Sequence, residues 1–440
     1  MVADLSMNLL VTNTGYSQAY AIIRALRPHA HKIVVTMEGD NRRAARFCHA
    51  AASRLVDKRY YTEFPGVDWR LGRIQRDNTE REKAYIETVE SICEKEKIDT
   101  IFPSFDPYVY VFSKNKERFE SKGILIPVPD YETVLVPLDK YRTSLAAQQA
   151  GFPCPRTCIP ESGNDLKQIA AAWGFPLVVK PRFTSGGRGT SIVADFGELS
   201  EKMRESWDSG VRPMIQEYIP GTEKQQFYLL LDKKGQLKVS FCPKTHRLFD
   251  RLYRNSSAAS ESAPPHPKSA QAASVVQGFG WWGGINLQTK VDPRDGLPKL
   301  LEINPRLGHH LWYRTAIGIN EPLMCLQIAQ GEEVAAIESY PAGKMFLSPV
   351  EDLLSFGFGL VDRVMYTLKT RLFLKRTLDP LSAPLPFNKL FRSYSQSYCN
   401  GQDKVFDPYF RYFLEDPVVS ILWWLRFSHQ VLTATKHLGN

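Results

Sequence analysis

Apolar runs of strand length alternate with segments of helical spacing along the first third of the chain. Leu9-Leu10-Val11-Thr12 has the uninterrupted apolar character of a buried strand, and Asn13-Thr14-Gly15 supplies a turn after it. From Ser17 to Leu26 the apolar positions Ala21, Ile22 and Leu26 recur at helical intervals. The strand pattern returns at Lys32-Ile33-Val34-Val35-Thr36, at Asp99-Thr100-Ile101-Phe102-Pro103 and at Ile124-Leu125-Ile126. Strands separated by helices predict an open, parallel α/β domain over residues 1–137. Ligands of such sheets lie beyond the carboxyl ends of the strands. That rule singles out Asn13, Thr14, Gly15 and Tyr16 after the first strand, and Ser104, Phe105 and Asp106 after a later one. Helix capping is the alternative reading of Ser104 and Asp106. The segment has no Gly-x-Gly-x-x-Gly, which argues against a dinucleotide site.

Residues 138–345 carry the polar positions with chemical interest. Asp139-Lys140 opens a helix that runs to Gln149 and stops at Gly151-Phe152-Pro153. Phe175-Pro176-Leu177-Val178-Val179-Lys180-Pro181 is an apolar strand that ends in a lysine, a costly arrangement unless an anion meets the charge. The next segment, Thr184-Ser185-Gly186-Gly187-Arg188-Gly189-Thr190, lets backbone N–H groups approach an anion closely. A Gly-rich hairpin without a ligand is the other reading, and the loop is not a Walker A motif because no Gly-Lys-Ser/Thr follows. Met214-Ile215-Gln216-Glu217-Tyr218-Ile219-Pro220-Gly221 is a further strand with a sharp turn, whose backbone is placed to meet an adenine edge.

Two runs then form a hairpin pattern. Ile285-Asn286-Leu287-Gln288 and Leu300-Leu301-Glu302-Ile303-Asn304 are separated by the turn-rich Asp292-Pro293-Arg294-Asp295-Gly296. Alternation puts Glu302 and Asn304 on one face, and Pro305 ends the strand. Glu302, Asn304 and Gln288 supply the carboxylate and amide oxygens that a hard cation such as Mg²⁺ takes. Arg306, just beyond, is placed to bind phosphate oxygens through its planar fork. An ordinary edge hairpin with polar residues in solvent is the alternative.

The ordered set resembles the ATP-grasp superfamily, and within it the carbamoyl-phosphate-synthase-like carboxylate ligases. The set is a lysine at a helix start, a strand ending in Lys-Pro, a glycine loop, Glu-Tyr-Ile-Pro-Gly, then Asn-Leu-Gln and Leu-Glu-Ile-Asn-Pro-Arg, and it covers residues 1 to about 345 with the α/β domain included. The resemblance implies a fold that is α/β and α+β: a pre-ATP-grasp domain at 1–137, an ATP-grasp domain at 138–345 and a mostly helical extension at 346–440. It implies that Lys140 and Lys180 hold ATP phosphates, and that Ser185, Gly186, Gly187 and Gly189 fold over them. Glu217, Tyr218 and Ile219 match the adenine linker, with Glu223 the nearest candidate for the ribose. Gln288, Glu302 and Asn304 match the metal ligands, with glutamine in place of the more usual acid, and Arg306 and Lys180 match the catalytic cations. His246 and Arg247 are further candidates near the phosphates, and His309 and His310 follow the site. The implied activity is ATP- and Mg²⁺-dependent (Mn²⁺ as a substitute): a carboxylate is activated as an acyl phosphate and coupled to an amine, releasing ADP and phosphate. An acyl- or carbamoyl-phosphate enzyme with another nucleophile, or a non-catalytic ATP-binding protein, is the alternative.

Composition changes this picture little. The chain has 440 residues, 43% hydrophobic and 23% charged, enough for two or three globular domains. The net charge of +9 suits an anionic ligand, but the basic residues are dispersed and match no nucleic-acid-binding module. Seven cysteines without Cys-x-x-Cys spacing read as reduced thiols of a cytoplasmic protein. Asp4 and the lack of a long apolar run near it predict no secretory leader.

The C-terminal region lies outside the resemblance. Val361, Val364, Met365, Leu368 and Leu372 fall on one helical face, bordered by Arg363, Lys369, Lys375 and Arg376. Pro417 to Phe427 is apolar and contains Trp423 and Trp424, but it is too short to span a bilayer. Packing against the catalytic body and a peripheral membrane contact are the two expectations. The Ser/Ala/Pro-rich stretch from Arg254 to Ala273 reads as a surface loop, which could border an acceptor site.

Overall fold

The computed structural model describes residues 7–39, 45, 48–66, 77–184, 187–249, 256–308, 310–353, 397–398 and 403–425. The chain divides into two units, residues 1–241 with 265–339, and residues 242–264 with 340–440. The segment 242–264 belongs with the C-terminal part.

The first sheet has β1 (Met7–Val11), β2 (Ala30–Glu38), β3 (Lys58–Thr62) and β4 (Thr100–Phe102), in the order β3-β2-β1-β4. Every pairing is parallel, as the apolar runs predict. Leu9, Leu10, Val11, Ile33, Val34 and Val35 are fully buried, as strands covered on both faces require. The expected strand at 124–126 is reduced to a single bridge from Leu125 to Thr100, because Gly123 takes a positive φ just before it and a tight turn closes from Ile126 to Val128 just after it. The helix Ser17–Leu26 has the predicted bounds. Helices Glu80–Glu96 and Asp106–Lys114 follow β3 and β4.

The next sheet has β5 (Thr157–Cys158), β6 (Leu177–Lys180), β7 (Ser191–Val193) and β8 (Met214–Glu217), ordered β5-β8-β6-β7 and antiparallel. Helices Gly163–Trp173 and Phe196–Asp208 cover it, and Leu166, Leu177, Val179, Leu199, Met203 and Ile215 form the core between them.

The chain continues through β9 (Lys224–Leu231), β10 (Leu237–Phe241), the hairpin β11 (Lys244–Phe249) and β12 (Ser256–Glu261), and the hairpin β13 (Gly283–Asp292) and β14 (Leu297–Asn304). Strands β10-β9-β13-β14 make the third sheet, which is antiparallel.

The second unit is built on β11, β12, β15 (Met345–Leu347) and β16 (Lys404–Phe406), ordered β11-β12-β15-β16. The stretch read as a surface loop therefore contains a strand. Its small residues are the reason: Ala258, Ala259 and Ser260 are fully buried and Ser257 nearly so, and they fit on both faces of a strand where larger side chains would not. The remainder of that stretch leads into the helix Ser269–Gln277, which belongs to the first unit. Arg247 is buried in a bidentate pair with Asp352 and bonds Ser397, while His246 lies 2.9 Å from Glu261; both are held within the second unit. The helical face at 361–372 lies outside the described residues. Trp423 is buried and stacks on Tyr409, and Trp424 stacks on Phe413. Of the tryptophans chosen for a membrane interface, Trp423 thus packs inward and Trp424 is half-buried, and the exposed apolar positions among the described residues 403–425 are Phe410, Leu414, Val418, Ile421 and Leu425. Among the described residues no helix is long and apolar enough to cross a membrane.

Candidate functional site

The β13–β14 hairpin forms where its turn and alternation predict, and its register sets the site. Gln288 stands opposite Glu302, and Asn286 opposite Asn304. On the other side β9 places Gln226 opposite Gln288 and Tyr228 opposite Asn286. Alternation then puts Gln226, Tyr228, Asn286, Gln288, Glu302 and Asn304 on one face of three adjacent strands. Neighbouring amides hold one another: the Asn304 amide donates to Asn286 Oδ1 at 3.3 Å, and Arg306 donates to Asn304 Oδ1 at 3.4 Å.

The two lysines converge on this face from separate elements. Lys140 is the first residue of the helix Lys140–Gln149, whose N-cap Asp139 accepts from the Tyr141 N–H. Arg182 pairs with the same Asp139 carboxylate and fixes the helix start beside the loop after β6. Lys140 is buried, its Nζ 3.5 Å from Glu302 Oε2 and bonded to the Thr184 carbonyl. Lys180 ends β6, also buried, and its Nζ donates to the Leu301 carbonyl at 3.2 Å. Burial pulls the Lys180 ammonium down to about 7; the Lys140 charge adds to the effect and Glu302 opposes it. Two ammonium groups held near a single carboxylate make a site short of negative charge, the condition that an anionic ligand relieves.

Arg306 forms an ion pair with Asp106 at 2.9 Å, and its guanidinium lies 5.2 Å over the Phe105 ring. Burial pushes the Asp106 carboxyl up against the pull of Arg306. Asp106 is therefore a partner of the site arginine and makes no side-chain cap bond on its helix. Ser104 donates to the Thr12 and Asn13 carbonyls and is a structural residue.

The glycine loop is described in part. Gly187 and Gly189 take φ of +67° and +72° in a turn, and a Cβ at Gly189 would meet Pro181 Cγ at 2.9 Å. Ser185 and Gly186 lie outside the described residues, as does His309. Glu217 ends β8; burial opposes ionisation of its carboxyl, but donors from Arg294 and Arg156 hold it below the usual carboxylate range. Lys290 sits 5.1 Å over the Tyr218 ring and donates to the Ile219 carbonyl at 2.7 Å, which fixes the linker turn. Glu223 is exposed just before β9, outside the ring of groups around Glu302.

Sequence reading missed Gln226, Tyr228 and His310 as a connected set. The Tyr228 hydroxyl lies 2.6 Å from Gln226 Oε1 and 2.9 Å from His310 Nδ1. Arg314 lies 4.2 Å over the Tyr228 ring and pairs with Glu321 at 2.7 Å, both fully buried. A Cβ at Gly308 would meet Tyr228 Cε1 at 2.1 Å, so this contact requires glycine there. The period-2 spacing of Gln226 and Tyr228 was the available signal, but the facing register was not.

Residues 139–337 match the family model of the carbamoyl-phosphate synthase L chain ATP binding domain, and residues 79–127 match that of the PylC-like N-terminal domain. The formate-dependent phosphoribosylglycinamide formyltransferase of Synechococcus elongatus is 27% identical over 266 residues, 57% of this chain and 65% of that protein. The carbamoyl phosphate synthase large chain of Pseudomonas syringae pv. tomato is 24% identical over 53% of this chain and 24% of its own length. Among solved structures, a biotin carboxylase from Campylobacter jejuni aligns with a TM-score of 0.60 at 16% identity, covering 78% of this chain and 75% of that one. The N5-carboxyaminoimidazole synthetase of Staphylococcus aureus aligns at 0.55 with 13% identity, over 77% and 80%. These structural likenesses establish the fold, and the chain spans about two thirds of the length of the first-named relative.

Proposed function

Residues 139–337 of this chain are an ATP-grasp domain of the carbamoyl-phosphate-synthase type, and from that premise we propose that the protein is an ATP- and Mg²⁺-dependent carboxylate–amine ligase. The observation that carries the proposal is the convergence of Lys140 and Lys180 on the Glu302 face, with Arg306 beside it. Lys140 and Lys180 hold the nucleotide phosphates, and a bound polyphosphate favours the protonated form of Lys180. Backbone N–H groups of the loop containing Ser185, Gly186, Gly187 and Gly189 close over them. Glu217, Tyr218 and Ile219 frame the adenine, with Glu223 the candidate for the ribose. Gln288, Glu302 and Asn304 fit a hard divalent cation: one carboxylate and two amide oxygens leave positions for phosphate oxygens. When bound, the metal neutralises charge that builds on those phosphates.

A substrate carboxylate oxygen bonds to the γ-phosphorus as the bond to the ADP oxygen breaks. Arg306 steadies the resulting acyl phosphate, and its pairing with Asp106 fixes the fork in place. An amine then attacks the acyl carbon, phosphate leaves and the nitrogen loses a proton. The test is carboxylate labelled with ¹⁸O: the released phosphate is expected to carry the label. Unlabelled phosphate, or AMP and pyrophosphate as products, would overturn the proposal. A peripheral membrane contact of the C-terminal region, through the exposed stripe Leu414, Val418, Ile421 and Leu425, is a separate proposal. Co-sedimentation with anionic vesicles tests it, and a full chain left in the supernatant removes it.

A further inference from the structure

The far end of β13 and the turn after it are joined to residues 217–225. The Thr289 hydroxyl donates to the Gln225 carbonyl at 2.9 Å, and the Val291 N–H donates to the Glu223 carbonyl at 2.9 Å. These two bonds continue the ladder between β9 and β13. Three further contacts reach past the ladder to the linker turn itself. Lys290 Nζ donates to the Ile219 carbonyl at 2.7 Å and lies 5.1 Å over the Tyr218 ring. Gly221 takes a φ of +82°, and a Cβ there would meet Pro293 Cδ at 3.3 Å, so the turn is seated on that proline. Arg294 Nη2 donates to Glu217 Oε1 at 2.9 Å. The strand that carries Gln288 thus braces the linker from the very next residues.

Glu217 shows what the brace does. It stands opposite Leu177, whose side chain lies in the core under the covering helices with Val179 and Ile215. Lys180 and Gln216 alternate to the other face of the sheet. The Glu217 carboxylate therefore leaves the strand on the side away from Lys180. There Oε2 accepts the Arg156 backbone N–H at 3.3 Å and the Arg156 Nε at 3.2 Å, while Oε1 accepts from Arg294. Arg156 is itself anchored, 5.3 Å over the Trp173 ring and donating to the Ala172 carbonyl at 3.4 Å. Arg294 is anchored by Asp292, buried at the end of β13, at 2.6 and 2.9 Å. Both carboxylate oxygens are engaged by guanidinium groups, so the linker meets a base through its backbone.

A backbone edge reads a purine only while its order of donor and acceptor is fixed. Adenine offers an N6–H donor beside the N1 acceptor, and guanine offers the O6 acceptor beside an N1–H donor. The two patterns are exchanged, and a turn free to rotate its peptides serves either. The hairpin removes that freedom: Arg294 holds Glu217, Lys290 holds the Ile219 carbonyl and Pro293 seats Gly221. We propose that Lys290 and Arg294 set the base specificity of the nucleotide site, as positioning residues that fix the linker so that it accepts adenine and leaves the polar groups of guanine unpaired. Neither needs to touch the base. The inference rests on the proposed function, which lays the nucleotide against residues 217–219. A half-exposed ion pair such as that of Arg294 with Glu217 adds little to stability, so its loss falls on the linker and not on the fold.

The experiment is calorimetric titration of the full chain, in the presence of Mg²⁺, with ADP, GDP and inorganic triphosphate. The unaltered protein is expected to bind ADP more tightly than GDP. Lys290→Met and Arg294→Met should each weaken ADP binding about tenfold, the size of one charge-assisted hydrogen bond. Both should leave GDP and triphosphate within about twofold, so that the preference for adenine falls. Lys290→Arg and Arg294→Lys should restore most of it. A purely structural role would weaken all three ligands alike. An unchanged ratio of ADP to GDP affinity in both methionine variants, or an equal loss for all three ligands, would overturn the inference while ADP binding by the unaltered protein leaves the ligase reading standing. An unaltered protein that binds neither nucleotide would remove that reading and this inference together. The two variants break different bonds, so either alone carries the test if the other does not fold.

Discussion

Two hairpins, β11–β12 and β13–β14, put similar residue types to opposite uses. In β11–β12 the charged Arg247 is buried and fully engaged by Asp352 and Ser397, and the facing strand is lined with serine and alanine. In β13–β14 the polar residues Gln288, Glu302 and Asn304 stay half-buried and bond only loosely to their neighbours, while Lys140 and Lys180 are crowded against them with too little negative charge. A closed ion pair stabilises a fold; an unbalanced cluster of the same groups is a place for substrate. Charge balance separates the two more clearly than residue type does.

The comparison breaks first at Glu302. Glu302→Ala is expected to cut ADP formation by at least on the order of 10²–10³-fold with an unchanged circular-dichroism spectrum; near-normal turnover would remove the metal assignment. Asp352→Ala should do the reverse. It strands the buried Arg247 charge, so unfolding free energy should fall by about 3–5 kcal/mol, while ADP formation per folded molecule holds at low temperature. Chemical denaturation together with an ADP assay checks both halves.

A gentler probe is pH. Lys180 is half-charged near pH 7 without ligand, and a polyphosphate favours the charged form. Binding above pH 7 must then take up a proton, and ATP affinity should fall by up to about tenfold per pH unit as pH rises past 7. Calorimetry in two buffers of different ionisation heat reads the proton directly, and no uptake at pH 8 would contradict the lowered lysine. The smallest effect is expected from Tyr228→Phe, which removes the bonds to Gln226 and His310 at a cost of about 1 kcal/mol in stability. Its signature is a shift in the Mg²⁺ concentration for half-maximal activity, because Gln226 neighbours Gln288.

The β13–β14 hairpin was legible because its signals are local: a turn of Asp, Pro and Gly, and strict alternation on both sides of it. So were the parallel core of β1, β2 and β4 and the helix at Lys140. Strand β3 was not, because Lys58-Arg59-Tyr60-Tyr61-Thr62 carries its polarity on an edge and shows no apolar run. Strand β12 was misread because serine and alanine signal a loop unless the tight packing that they permit is known. The pairing of Asp106 with Arg306 and the place of Tyr228 come from register and tertiary approach, which no spacing along the chain encodes.

The pairing of β12 with β15 has a consequence for synthesis of the chain. Ala259 waits for Leu347 before its outer edge is covered. At about 5–20 residues per second the ribosome leaves that edge open for several seconds, while the first unit already holds most of its sequence. During that interval β12 is a bare sheet edge of small residues, open to any extended chain nearby.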